Sequence, residues 1–144
     1  MAQGYEGDVT VRQCWANLSD DPAAVLIDVR TIAEWTYVGL PDLSPIGKAP
    51  ILAEWQTFPS MTVDPGFAER VTKAVTEASG DRASPLFLLC RSGVRSIAAA
   101  KALTAAGFEH CFNVVDGFEG SPDENGHRGR IAGWKAEDLP WIQR

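Results

Sequence analysis

Apolar residues follow two rhythms along this chain, and their order predicts short buried strands alternating with helices. Val11, Cys14, Trp15 and Leu18 recur at helical spacing after Thr10, predicting a short amphipathic helix over about 10–18 that Ser19-Asp20-Asp21-Pro22 ends. Ala24-Val25-Leu26-Ile27-Asp28-Val29 is a β-branched apolar run bounded by turn residues, the pattern of a strand covered on both faces. Thr31-Ile32-Ala33-Glu34 follows with capping-box spacing, so this strand feeds a helix. Residues 39–48, with Gly39, Pro41, Pro45 and Gly47, read as loop, and Ile51-Leu52-Ala53 as a second short strand. Asp64-Pro65 is an N-cap and first-turn pair for a helix with Phe67, Val71, Val75 and Ala78 on one face, stopped by Gly80.

The second half repeats the alternation. Pro85-Leu86-Phe87-Leu88-Leu89 is an unbroken apolar run of strand length, Cys90 to Arg95 a tight loop, and Ser96 to Leu103 an alanine-rich helix former closed by Gly107. Cys111-Phe112-Asn113-Val114-Val115 predicts another buried strand before an Asp116-Gly117 turn, and the segment at about 119–133 is polar and glycine-bearing. Strand–helix alternation of this kind predicts an α/β fold with a parallel sheet covered by helices on both faces, and ligands of such sheets sit beyond the carboxyl ends of the strands.

Composition narrows the picture. With 144 residues, 45% of them hydrophobic, the chain is long enough for one ordinary core, so a single domain over 1–144 is expected. Its formal charge of −6 recommends neither nucleic acid nor an anionic membrane as partner. Met1-Ala2-Gln3-Gly4-Tyr5-Glu6-Gly7-Asp8 has no basic start or apolar h-region, and no stretch approaches the ~18 apolar residues of a span, so a cytoplasmic location is expected. Three cysteines without C-x-x-C or Cys/His spacing imply neither a disulfide framework nor a metal site.

The candidate chemistry therefore falls on one thiol. Cys90 stands between a buried strand and a helix, where unpaired helix N–H groups and the dipole favour an anion such as a thiolate. Arg91 and Arg95 are expected to add positive charge. Gly93 lets the loop curl so that successive backbone N–H groups, from Ser92 through Val94 to Ser96, can point at one centre. Cys14 and Cys111 lie inside apolar segments without cationic neighbours and are expected in the core.

Leu26-Ile27-Asp28-Val29-Arg30 with Glu34-Trp35, then Cys90-Arg91-Ser92-Gly93-Val94-Arg95-Ser96 with Ala99-Ala100 and Leu103, then Gly107-Phe108 and Asn113-Val114, together resemble the rhodanese family over about residues 8–118. The resemblance implies a central parallel five-stranded sheet flanked by helices, with Cys90 opening the loop after the fourth strand as the catalytic residue. It also implies a sulfurtransferase rather than a related phosphatase, because Cys90 to Arg95 is the shorter of the two loop forms and suits one sulfur atom better than a tetrahedral oxyanion.

On that reading Cys90 takes a sulfane sulfur from a small anionic donor such as thiosulfate, held by Arg91 and Arg95. Loop N–H groups from Ser92 to Ser96 then stabilise the persulfide until cyanide, a thiol or a sulfur-relay protein accepts the sulfur. No metal or organic cofactor is implied. Asp28 and Arg30, at matching family positions, are expected to brace the loop. The rivals are a phosphatase or arsenate reductase using the same loop and a non-catalytic protein-binding module. Trp35 and Trp55 are expected in core and rim packing, and His110 and His127 as solvated side chains. Gly39-Leu40-Pro41 departs from the family's usual Gly-His-Ile, and Ser121 to Arg130 extends it, so the pocket rim differs.

Overall fold

A computed structural model of the chain describes residues 4–57 and 60–143, so Met1, Ala2 and Gln3 lie outside the described residues. In chain order the first half contains β1 (Gly7–Val9), α1 (Val11–Asp20), β2 (Val25–Asp28), α2 (Ile32–Tyr37), β3 (Leu40–Pro41), a 3-10 turn (Ser44–Ile46), β4 (Ile51–Leu52), β5 (Gln56–Thr57) and β6 (Thr62–Val63). Then follow α3 (Phe67–Glu77), β7 (Leu86–Leu89), α4 (Arg95–Ala105), β8 (Cys111–Val114) and β9 (Trp141–Ile142).

Five of the strands form one sheet in the order β1-β8-β7-β2-β4, with every neighbouring pair parallel. The unbroken apolar run of β7 explains its central place, because its side chains alternate between two cores. Leu86 and Leu88, with Cys90 just beyond, pack against Val71 and Val75 of α3 and Ala99 and Leu103 of α4. Phe87 and Leu89 enter the opposite layer with Val11, Cys14 and Leu18 of α1 and with Phe118, Trp134 and Leu139. The predicted parallel α/β architecture with both faces covered is thus present.

Local signals place most elements well. Thr31 accepts from the Glu34 amide at 3.3 Å while Glu34 Oε1 accepts from the Thr31 amide at 3.2 Å, the reciprocal cap that its spacing predicts. Gly107, at φ +107°, ends α4.

Four expectations need correction. Gly7–Val9, read only as part of the leading segment, is the edge strand β1. The stretch 39–48 is more than loop, since β3 pairs antiparallel with β9 from the far end of the chain. Gly66, not Asp64, is the N-cap of α3; Asp64 Oδ1 instead accepts from the Gly66 amide at 2.8 Å. The left-handed residue after α3 is Ser79, at φ +67°, while Gly80 donates its amide to Val75 O at 2.8 Å; a Cβ on Gly80 would lie 2.8 Å from Val75 Cγ1, so close approach selects glycine there.

Candidate active site

β7 ends at Leu89, so Cys90 opens its loop at the carboxyl edge of the sheet, between the middle strand and α4. The sulfur borders a cleft of about 580 Å³, lined among others by Glu34, Met61, Arg91, Ser92, Val94, Arg95 and Glu119. Cys90 is only 1% exposed and belongs to the core cluster of Leu88 and Ala99, yet polar groups of the loop and of α4 also reach its sulfur. Gly93 donates its amide to Sγ at 3.1 Å, and Ser96 Oγ lies 3.3 Å away. Val94, the N-cap of α4, supplies no side-chain cap, so the first-turn amides of the helix lack that partner beside the sulfur.

The loop fits because glycines stand where it meets the chain that follows β8. Gly93 has φ +92°, and a Cβ there would lie 3.1 Å from Asp116 N. Gly117 approaches more closely still, since a Cβ on it would sit 2.3 Å from Cys90 O. The neighbouring backbone then grips the loop: Phe118 donates its amide to Cys90 O at 2.8 Å, and Glu119 donates to Arg91 O at 2.9 Å.

Beneath this grip lies a charged pair without solvent contact. Arg30 Nη2 meets Asp28 Oδ2 at 2.6 Å, with both side chains fully buried, and also donates to Gly39 O at 2.9 Å. The guanidinium carbon lies 4.2 Å from the centre of the Phe118 ring. A structural path therefore runs from the Asp28–Arg30 pair through Phe118 to the Cys90 carbonyl.

The two loop arginines are unlike one another, a difference that their sequence positions do not reveal. Arg95 donates to both oxygens of Glu34, at 2.7 and 2.9 Å, so its charge is met within the protein and does not stand free for an anion as expected. Burial works to raise the Glu34 carboxyl, but the hydrogen bonds and charge of Arg95, helped by Thr31 and Arg30, bring it below its ordinary value. The same hydrogen bond to Glu34 raises Arg95. Arg91 is exposed and has no carboxylate within ion-pair distance among the described residues. Capping-box spacing assigns Glu34 to the helix cap and gives no hint of this second task.

Other candidates are not in the lining of this cleft. Trp55 packs edge-on against Phe67 with centroids 5.1 Å apart, and Trp35 borders a separate small hollow with Ile32 and Leu52. His110 is an exposed side chain, as expected, and also meets Glu6 at 3.0 Å; the pair sits at the start of β8, the opposite end of the sheet from Cys90. Cys14 and Cys111 are buried, and burial pushes both thiols up. The polar 119–133 segment folds back on itself, with Gly129 donating to Glu119 O at 2.7 Å, and delivers Trp134 to the core.

The family model described as the STR4 middle domain matches residues 6–144. The chain is also 24% identical over 137 residues, 95% of its length and 26% of the relative's, to the Arabidopsis thaliana chloroplastic rhodanese-like domain-containing protein 4. The chain belongs to the STR4 middle-domain family of rhodanese-like proteins. A Rickettsia conorii protein, RC0915, described as uncharacterized, is 36% identical over 118 residues, 82% of each chain. Among solved structures, Rv0390 from M. tuberculosis is similar at 47% identity with a TM-score of 0.84, covering 97% of this chain and 99% of that one. The five-stranded parallel sheet is therefore a rhodanese-like sheet, and its cysteine loop stands at the edge where such folds bind ligands. Among the described residues, no helix is long and apolar enough to cross a membrane.

Proposed function

We propose that this chain is a sulfurtransferase that moves a sulfane sulfur through a persulfide on Cys90. The observation that supports the reading is that Cys90 belongs to the lining of a cleft, with the Gly93 amide on its sulfur and the uncapped first turn of α4 following in the same loop. Amides so placed favour sulfur that carries negative charge.

In the first half-reaction the Cys90 thiolate, its proton gone to solvent, attacks the outer sulfur of a donor such as thiosulfate. A new S–S bond forms to Cys90, the donor's S–S bond breaks, and sulfite leaves with the bonding pair. In the second, an acceptor such as cyanide or a thiolate attacks the outer persulfide sulfur, and Cys90 departs again as a thiolate. The exchange is redox-balanced without a cofactor and should give ping-pong kinetics.

Arg91 supplies the free guanidinium for an anionic donor. The Arg95 side chain holds Glu34, and its part at the sulfur falls to the backbone at the start of α4. Asp28 and Arg30 act at a distance, keeping Phe118 under the Cys90 carbonyl.

Intact-mass measurement after incubation with thiosulfate tests the reading. Wild type should gain one sulfur atom that cyanide removes, and Cys90→Ser should gain none. No added mass on wild type, or equal addition to the variant, overturns it. Hydrolysis of an aryl phosphate through Cys90 without persulfide formation would place the loop among phosphatases instead.

A further inference from the structure

The hydrogen bonds around Cys90 have a direction, and it is set two strands away. Ser96 has one hydroxyl proton and two neighbours that accept it, Cys90 Sγ at 3.3 Å and Asn113 Oδ1 at 2.5 Å. Which neighbour receives the proton depends on how the Asn113 amide is turned. Asn113 Nδ2 donates to Asp8 Oδ1 at 3.0 Å, and an ionised carboxylate only accepts, so the amide oxygen faces Ser96. Tyr5 O–H donates to the same Asp8 oxygen at 2.9 Å. Asp8 and Asn113 are direct partners in the β1–β8 register, which sends both side chains off one face of the sheet.

With its proton committed to Asn113, Ser96 turns a lone pair rather than a donor toward Cys90 Sγ. Ser96 is fully buried and Asn113 nearly so, so no water competes for these groups at the sulfur.

We infer that Asp8 and Asn113 are positioning residues that keep the Ser96 hydroxyl proton turned away from Cys90 Sγ, so that the sulfur has the Gly93 amide as a donor and none from Ser96. The inference rests on Cys90 as the reacting sulfur, but concerns the direction of the hydrogen bonds at that sulfur rather than its sulfur transfer. An incoming anion or the second sulfur of a persulfide, by drawing the Ser96 proton toward itself, would make the site donor-rich only when loaded. The other charged groups around the sulfur are Arg91 and Arg95 on the loop and α4, Glu34 on α2, Glu119 after β8, and Asp28 and Arg30 after β2. All of them stay unaltered in the variants that test the inference.

The test is the pH dependence of Cys90 alkylation by iodoacetamide, read by peptide mass with no sulfur donor present. Ser96→Ala, which removes one buried oxygen, should shift the midpoint about half to one pH unit toward acid, because the thiol loses an acceptor and the thiolate loses no donor. Asp8→Ala, at an exposed position, should shift it the same way by letting Asn113 turn and Ser96 donate to sulfur. That second shift should vanish in the Asp8→Ala/Ser96→Ala double variant. An unchanged or alkaline midpoint in Ser96→Ala overturns the inference. So does an Asp8→Ala shift that is absent, or one that persists without the Ser96 hydroxyl, the mark of a plain field effect. Persulfide formation is scored separately by mass, so failure of one reading leaves the other standing.

Discussion

Arg95 and Glu34 meet in a two-pronged pair, Nη1 to Oε1 at 2.7 Å and Nη2 to Oε2 at 2.9 Å, which locks α4 to α2 across the mouth of the cleft. Two parallel charge-assisted bonds at a mostly buried site are worth about 2 kcal/mol. Because the folded Glu34 carboxyl lies below its ordinary value, this stability is complete above the unfolded carboxylate range and is lost as pH falls through the lower folded value. Urea titrations of wild type and Glu34→Gln should therefore differ by about that amount at pH 7 and converge in acid. A gap that widens as pH falls would contradict the assigned sign.

The same pair governs charge in the cleft. If Arg91 is the guanidinium left for an anionic donor, Arg91→Ala should raise KM for thiosulfate about tenfold with a smaller change in kcat, the loss of one charge-assisted contact. Glu34→Gln, which frees Arg95, should move KM the other way. Steady-state kinetics at constant ionic strength separate these effects.

Arg30 is fully buried against Asp28, so removing it leaves a carboxylate in the interior with no counter-charge. Arg30→Met should cost about 3–5 kcal/mol, far more than an exposed pair would, and thermal or urea unfolding measures it. Asp28→Asn/Arg30→Met should recover part of the loss, because it removes both charges together.

Gly117 has no room for a side chain, since a Cβ would lie 2.3 Å from Cys90 O at a backbone φ of +58°. Gly117→Ala should push the cysteine loop outward. The expected outcome is persulfide formation slowed more than about tenfold in a protein that still unfolds cooperatively, checked by timed mass spectrometry beside a melt.

All three cysteines are buried, but burial raises the Cys14 and Cys111 thiols, whereas Cys90 belongs to the lining of the cleft. Native protein should take up one equivalent of iodoacetamide, at Cys90, and denatured protein three. Native labelling at Cys14 would show that the layer formed by α1 opens more readily than its packing implies.

Most of what depends on neighbours along the chain is legible in the amino-acid sequence, the cap of α3 at Gly66 and the left-handed Ser79 after it being the exceptions. Thr31 and Glu34 are three residues apart, the β7 run is continuous, and Cys90, Gly93 and Arg95 sit on one turn of chain, so cap, strand and loop all announce themselves. The larger misses depend on distant pairs. Gly7-Asp8-Val9 has no apolar run of its own and becomes a strand only because β8 offers it an edge. Leu40 and Pro41 gain strand pairing from Ile142 and Trp141 at the far end of the chain. Arg95 reads as a free cation because Glu34 is 61 residues away, and Glu6 finds His110 across 104. No local rhythm encodes such meetings.

The amide of Phe118 on the Cys90 carbonyl, and Asp8 on Asn113, tie both flanks of the chain to the same few atoms. A peptide excised as β7, loop and α4 would keep every letter of the cysteine motif and lose the grip that shapes it. Transplanting the motif into another scaffold should fail for the same reason, unless a glycine-backed crossing and an edge strand travel with it.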